Sequence, residues 1–160
     1  GALSMIAGRN SLIYLAAGGS LALLLGAWSF EYLGGMAPCQ MCYWQRWPHL
    51  AAVPIGILAV ATAGLVLPLL GALAAGLTGA IGVFHTGVER GWWEGPSSCT
   101  SSDITGVSAQ DLLDQIMTAP LVRCDEVAWE MLGLSMASWN AVASFGLMAL
   151  WLTAARISAR

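Results

Sequence analysis

Two cysteines separated by two residues, Cys39 and Cys42, lie in the stretch Pro38-Cys39-Gln40-Met41-Cys42-Tyr43-Trp44-Gln45-Arg46, where an apolar segment begins. That spacing brings both sulfurs onto one turn. If Cys42 opens a helix, the unpaired N–H groups and the helix dipole favour its thiolate, and Arg46, one turn further on, adds a fixed positive charge. A stabilised thiolate is a good leaving group and electron donor, so the local chemistry is thiol–disulfide exchange. Two other readings compete. The C-x-x-C spacing is also half of a zinc site, but zinc needs a second close Cys or His pair, and Cys99 and Cys124 stand far apart in a polar stretch. An inert structural disulfide is the other; redox chemistry is preferred over both, and no metal is expected.

The elements that position these thiols follow from composition. The 160 residues are 58% hydrophobic and 9% charged, with a mean hydropathy of +0.71. A soluble domain carries about 25% charged residues, so the chain reads as an integral membrane protein of one domain, residues 1–160. No nucleic-acid partner is expected. All six basic residues are arginine, at positions 9, 46, 90, 123, 156 and 160. Their placement matters more than the net charge of -3. Gly1 to Ser4 are expected to be a remnant ahead of a natural start at Met5.

Four apolar runs are expected to span the bilayer: 12–33, 47–63, 69–88 and 136–155. The first is too long for a signal-peptide core and further runs follow it. Pro48 suits a first helical turn, whereas Pro54 inside the second run predicts a kink. A short uncharged connector around 62–68 leads to the third run, whose Gly76, Gly79 and Gly82 allow a neighbouring helix to approach closely.

The segments 34–46 and 89–135 remain as loops. Eight of the nine acidic residues fall between Glu89 and Glu130, so that stretch is not in lipid. Within it, 108–117 reads as a short amphipathic helix, capped by Ser108 with Asp111 in a capping-box-like position and Leu112, Leu113, Ile116 and Met117 on one face. It lies either on the membrane surface or over loop backbone. Arg9, Arg156 and Arg160 flank the terminal side and every acidic residue falls at the other, so the positive-inside rule puts both termini in the cytoplasm and both cysteine loops outside. Trp44, Trp47, Trp92, Trp93, Trp129 and Trp139 gather near the outer boundary as an aromatic belt, with Trp151 toward the inner face.

All four cysteines are therefore on the oxidising side, two in each outer loop. The first pair sits beside lipid. The second is in a loop that water and proteins can reach. An accessible disulfide is open to an external thiolate, and a pair at the membrane boundary can pass electrons to a lipid-soluble acceptor, so the arrangement reads as a relay.

The Pro38 to Arg46 run, the histidine in Phe84-His85-Thr86, the Cys99 and Cys124 loop, and Leu132-Gly133-Leu134-Ser135-Met136 before the final run resemble the DsbB family of quinone-dependent disulfide oxidoreductases, over most of the chain. The resemblance implies an all-α membrane protein: a four-helix transmembrane bundle with two periplasmic loops in the bacterial inner membrane. It implies that Cys39 and Cys42 pass electrons to quinone, that Cys42 contacts the quinone ring, and that Arg46 supports that contact. Cys99 matches the cysteine attacked by a DsbA-like thioredoxin-fold oxidase, and Cys124 its partner, which exchanges with Cys39. His85 and Met136 match quinone-side positions. The cofactor implied is a quinone of the membrane pool, with ubiquinone favoured over menaquinone. Ala137 replaces a proline found in many members, and Gln45 stands where some members have an acid.

Each role has a plainer counterpart. Arg46 could anchor at lipid headgroups, His85 could be a satisfied boundary histidine, and Met136 could be packing. His49 has no pattern behind it and is read as structural. For the whole chain the alternatives are a membrane scaffold with structural disulfides and a thiol-reductase relay carrying electrons outward; the latter wants cysteines inside the spans or on the inner side, where this chain has none.

Overall fold

The computed structural model describes residues 1–100, 105–118 and 122–160. Helix α1 runs over Ala2–Trp28 and passes into a π-helical turn, Ser29–Leu33. Then come α2 (Gln40–Ala61), α3 (Val66–Glu89), the short α4 (Ala109–Thr118), a hairpin of β1 (Glu130–Met131) and β2 (Leu134–Ser135), and α5 (Met136–Ser158). The four long helices form a ring in which α1 packs on α2 and α5, and α3 packs on the same two. Three of them, Ala2–Leu33, Val66–Glu89 and Met136–Ser158, are long and apolar enough to cross a membrane. The helices overrun the expected spans at most ends. The difference that bears on the site is α2, which starts at Gln40 rather than 47, so that Cys42 is helical instead of lying in a loop.

The bundle is built for lipid, with small residues inside and large ones outside. Ala16, Ala59, Ala72, Ala75 and Ala154 form its core with Ile13 and Trp151, while Leu15, Leu58, Leu73 and Leu77 are exposed. Lipid tails are as apolar as leucine, so close van der Waals packing between small residues holds such helices together. Gly79 faces the Phe145 ring, and Gly82 lies against Ala137 and Ala141 of α5. Trp151 is fully buried rather than interfacial, seated where Gly71 leaves room for its indole.

One end of the ring is tied by Arg9. Its guanidinium donates to Ser158 Oγ (2.6 Å), the Ala59 carbonyl (2.9 Å) and the Gly64 carbonyl (3.0 Å). The two termini and the α2–α3 turn therefore share that end, and the cysteines occupy the other. Ser108 caps α4 through the Asp111 N–H, as expected. Leu113, Ile116 and Met117 of that helix are exposed. The β1–β2 hairpin was not foreseen. Its two turn residues, Leu132 (φ 54°) and Gly133 (φ 79°), both have positive φ, the geometry of a tight two-residue hairpin.

Candidate functional site

The cysteine end is fixed by the start of α2. Cys39 is its N-cap, and its sulfur accepts from the Cys42 N–H at 3.4 Å, so Cys42 sits in the first turn where donors are unpaired. The two sulfurs lie 3.0 Å apart and are not bonded. Both precede the apolar part of α2. The hydrogen bond between the thiols, reinforced by burial, pushes Cys39 far up, while the same bond, the backbone N–H and the charge of Arg46 pull Cys42 down. Of the two thiols, Cys42 is therefore the one whose ionisation the site favours.

Cys99 and Cys124 form a disulfide with a Cα–Cα distance of 5.3 Å. It is packed in one cluster with Cys39, Cys42, Met41 and Val88. All four cysteines thus meet. Cys99 and Cys124 are buried, contrary to the expectation of a loop disulfide open to water. The cause is docking onto the bundle: Ser98 Oγ donates to Gln40 Oε1, and the Cys124 carbonyl accepts from His85 Nε2 at 3.0 Å.

His85 is on α3, and its Nε2 also lies 3.7 Å from Cys39 Sγ. The ligand atoms of Cys39, Cys42 and His85 fall within 4.8 Å of one another, a spacing a soft metal could use. A carbonyl beside Nε2 can only accept, however, so that nitrogen bears the proton and is not free to ligate.

A cavity of about 460 Å³ opens beside the thiols, bounded by α1, α2, the end of α3, α5 and the loop before β1. Cys39, Cys42, Arg46, His85 and Met136 all line it, so the residues singled out from the sequence converge on one space. The rest of its wall is largely apolar, including Leu24, Phe30 and Trp129. A flat apolar ring with polar oxygens fits this donor set: a mostly apolar wall, with the thiol of Cys42 and the charged Arg46, Glu89, Arg123 and Glu126 at its edges. Arg46 does not reach into the cavity unpartnered. Its Nη1 pairs with Glu31 at 2.5 Å, and its guanidinium lies 5.2 Å from the Tyr43 ring centre.

Several site residues escaped the sequence reading. Glu31 is one: the π-helical turn Ser29–Leu33 carries it, a device frequent at functional sites. Gln45, His49 and Asn140 form a buried hydrogen-bonded chain between the helices. Polar side chains inside apolar runs were the available signal.

The family described as disulfide bond formation protein DsbB matches residues 9–154. An uncharacterised protein of Rickettsia prowazekii (strain Madrid E) is 30% identical over 129 residues, covering 76% of this chain and 73% of its own. Proteins named disulfide bond formation protein B, from Dechloromonas aromatica (strain RCB) and Pasteurella multocida (strain Pm70), are each 31% identical, over 143 and 130 residues. The first covers 82% of both chains, the second 77% of this chain and 73% of its own. No solved structure matches the chain. With a match across nearly its whole length, the chain belongs to the DsbB family of disulfide oxidoreductases.

Proposed function

We propose that the protein reoxidises a periplasmic thioredoxin-fold oxidase of the DsbA type and passes the electrons to a membrane quinone, with ubiquinone favoured. The observation that carries this reading is the meeting of a buried loop disulfide and a free C-x-x-C dithiol at the edge of one apolar cavity. In this reading the part of α2 from Trp47 onward is the fourth span, the termini are cytoplasmic, and the cysteine end, with the first turn of α2, faces the periplasm of the bacterial inner membrane. The small number of charges around the terminal end, all of them arginine, supports that orientation.

The cycle balances as exchanges between named sulfurs. A thiolate of the reduced partner attacks Cys99, breaks Cys99–Cys124 and releases the Cys124 thiolate. Cys124 attacks Cys39 of an oxidised Cys39–Cys42 pair, forming Cys39–Cys124 and releasing the Cys42 thiolate. The second partner thiol resolves the mixed disulfide, which frees oxidised partner and the Cys99 thiolate. Cys99 then attacks Cys124, restoring the loop disulfide and releasing Cys39. The Cys39–Cys42 dithiol closes to a disulfide and gives up two electrons and two protons; a bound quinone supplies the acceptor for both. The arrangement in this structure, loop disulfide closed and dithiol free, is the state that precedes that last step.

Within the chain the roles divide. Cys42 holds the negative charge toward the cavity, and Arg46 and the first turn of α2 stabilise it. Met136, the first residue of α5, supplies wall. His85 supplies wall too, since both of its ring nitrogens are engaged elsewhere. The exposed Leu113, Ile116 and Met117 of α4 suit the membrane surface better than cover for loop backbone.

The test is quinone reduction followed optically in detergent with a reduced DsbA-type protein as donor. Turnover that disappears in Cys42→Ser supports the relay. An active Cys42→Ser protein, or no turnover of folded protein with either ubiquinone or menaquinone, leaves a scaffold with structural disulfides as the better description.

A further inference from the structure

A single file of hydrogen bonds crosses all four long helices and ends at the loop disulfide. From α1, Ser20 Oγ meets His49 Nδ1 at 2.9 Å; His49 Nε2 meets Asn140 Oδ1 at 2.9 Å; Asn140 Nδ2 meets Gln45 Oε1 at 2.9 Å; Gln45 Nε2 meets His85 Nδ1 at 2.9 Å; and His85 Nε2 meets the Cys124 carbonyl at 3.0 Å. Ser20, His49, Gln45 and His85 are buried.

The direction of every bond is determined by groups that can act in only one sense. The Cys124 carbonyl only accepts, so His85 is protonated on Nε2 and its Nδ1 is an acceptor. Gln45 Nε2 also lies 3.0 Å from the Met41 carbonyl, which fixes that amide with its nitrogen toward His85. Thr78 Oγ1 gives its proton to the Gln45 carbonyl at 2.7 Å and so accepts from Asn140 Nδ2 at 3.2 Å, which fixes the second amide. His49 then donates from Nε2 and accepts from Ser20. All dipoles point the same way, toward Cys124 and Cys39. Aligned chains polarise one another, and a fully satisfied buried network selects one arrangement.

Helix packing alone does not need the last link, because the Cys124 carbonyl belongs to a loop rather than to the bundle. We infer that this file of side chains makes His85 a docking post for the loop disulfide: its fixed Nε2–H holds the Cys124 backbone beside Cys39, and Gln45 and Asn140 are positioning residues for sulfur exchange between the two pairs. The inference rests on the relay proposed above and assigns its inter-pair step to named groups. His85 Nε2, 3.7 Å from Cys39 Sγ, faces the sulfur that Cys124 must reach.

Two measurements test it on the full chain in detergent. The first is the inter-pair exchange itself. Protein with Cys39–Cys42 oxidised and Cys99–Cys124 reduced is acid-quenched at intervals, alkylated and mapped by mass spectrometry. In His85→Gln the amide nitrogen falls where Nε2 was, and exchange stays within about threefold; in His85→Asn it falls one bond short, and exchange slows about 10- to 100-fold, the usual effect of a misplacement near 1 Å. Gln45→Met slows it likewise. Exchange unaffected in His85→Asn, or a raised quinone KM with normal exchange, overturns the docking role while leaving the relay intact. No exchange in the unsubstituted protein sinks the relay itself. The second measurement needs no variant: with ¹⁵N-histidine, the only two histidines, His49 and His85, should both show the Nε2–H tautomer. A proton on Nδ1 of His85 overturns the inference directly.

Discussion

Arg46 Nη1 lies 2.5 Å from Glu31 Oε2, so the cation one turn beyond Cys42 is already half of an ion pair, with both side chains largely buried. Glu31 comes from the π-helical turn that follows α1, and Arg46, which lines the cavity, comes from α2, so the pair ties these two elements together. Leaving either charge alone in such a place is unfavourable, because desolvation is no longer offset by the partner.

The pair should therefore act as a unit in quinone use. Glu31→Gln and Arg46→Met are each expected to raise the quinone KM about tenfold, and the double variant to be no worse than the worse single, as residues in contact are non-additive. Steady-state kinetics over a quinone series decides it. Effects that multiply in the double variant would show that Arg46 works independently of Glu31.

The charge on Cys42 depends first on the hydrogen bond from Cys39. Alkylation of reduced protein by iodoacetamide should be directed to Cys42, with a pH midpoint below the ordinary thiol value of about 8.5. Because the folded state favours the thiolate, reactivity persists as the pH falls and fades only through that lowered midpoint. Cys39→Ala removes the largest cause and should move the midpoint up toward the ordinary value. Rates fitted against pH for the two proteins make the comparison, and an unchanged midpoint would assign the effect to Arg46 and the helix start instead.

Burial of Cys99 and Cys124 means that an incoming thiolate must wait for the loop to lift. Local opening of this kind responds to mild denaturant well before global unfolding. Reduction of the loop disulfide by a small dithiol should accelerate in low urea and should be faster in Gln40→Ala, which loses the tether from Ser98. Gel-shift alkylation of quenched samples follows it. A rate indifferent to both changes would mean that the sulfurs react without opening.

Gly71 is required by Trp151, since a Cβ there would collide with the indole. Gly71→Ala is expected to destabilise by about 1–3 kcal/mol, the usual range for overpacking a close-packed interior. Gly18→Ala, where nothing lies within 4 Å, is the control and should be near neutral. Thermal unfolding in detergent, read by tryptophan fluorescence, compares them; equal midpoints would count against the packing assigned to Trp151.

Much of this protein is set by local composition and spacing. Apolar runs interrupted by a polar, acidic segment determine a helical membrane protein, because a continuous apolar run of about 20 residues satisfies its own backbone in lipid as a helix, whereas a barrel strand needs only about 10. The Cys39 and Cys42 spacing before an apolar run determines a reactive pair at a helix start, because that is a property of one turn. Gly79 and Gly82 mark the α3 face that receives α5, because only small residues allow helices so close.

What lies between segments was decided by the tertiary structure. The pairing of Arg46 with Glu31 joins residues 15 apart, across a π-helical turn that no residue pattern announced. The file from Ser20 to Cys124 uses five side chains on four helices, each of which looks alone like a polar residue tolerated in an apolar run. Burial of the Cys99–Cys124 disulfide could not be read from a polar loop, since it comes from what the loop rests on. Hydrophobicity and helix propensity act along the chain and are legible there; hydrogen-bond direction and ion pairing act between elements and exist only once the helices are packed.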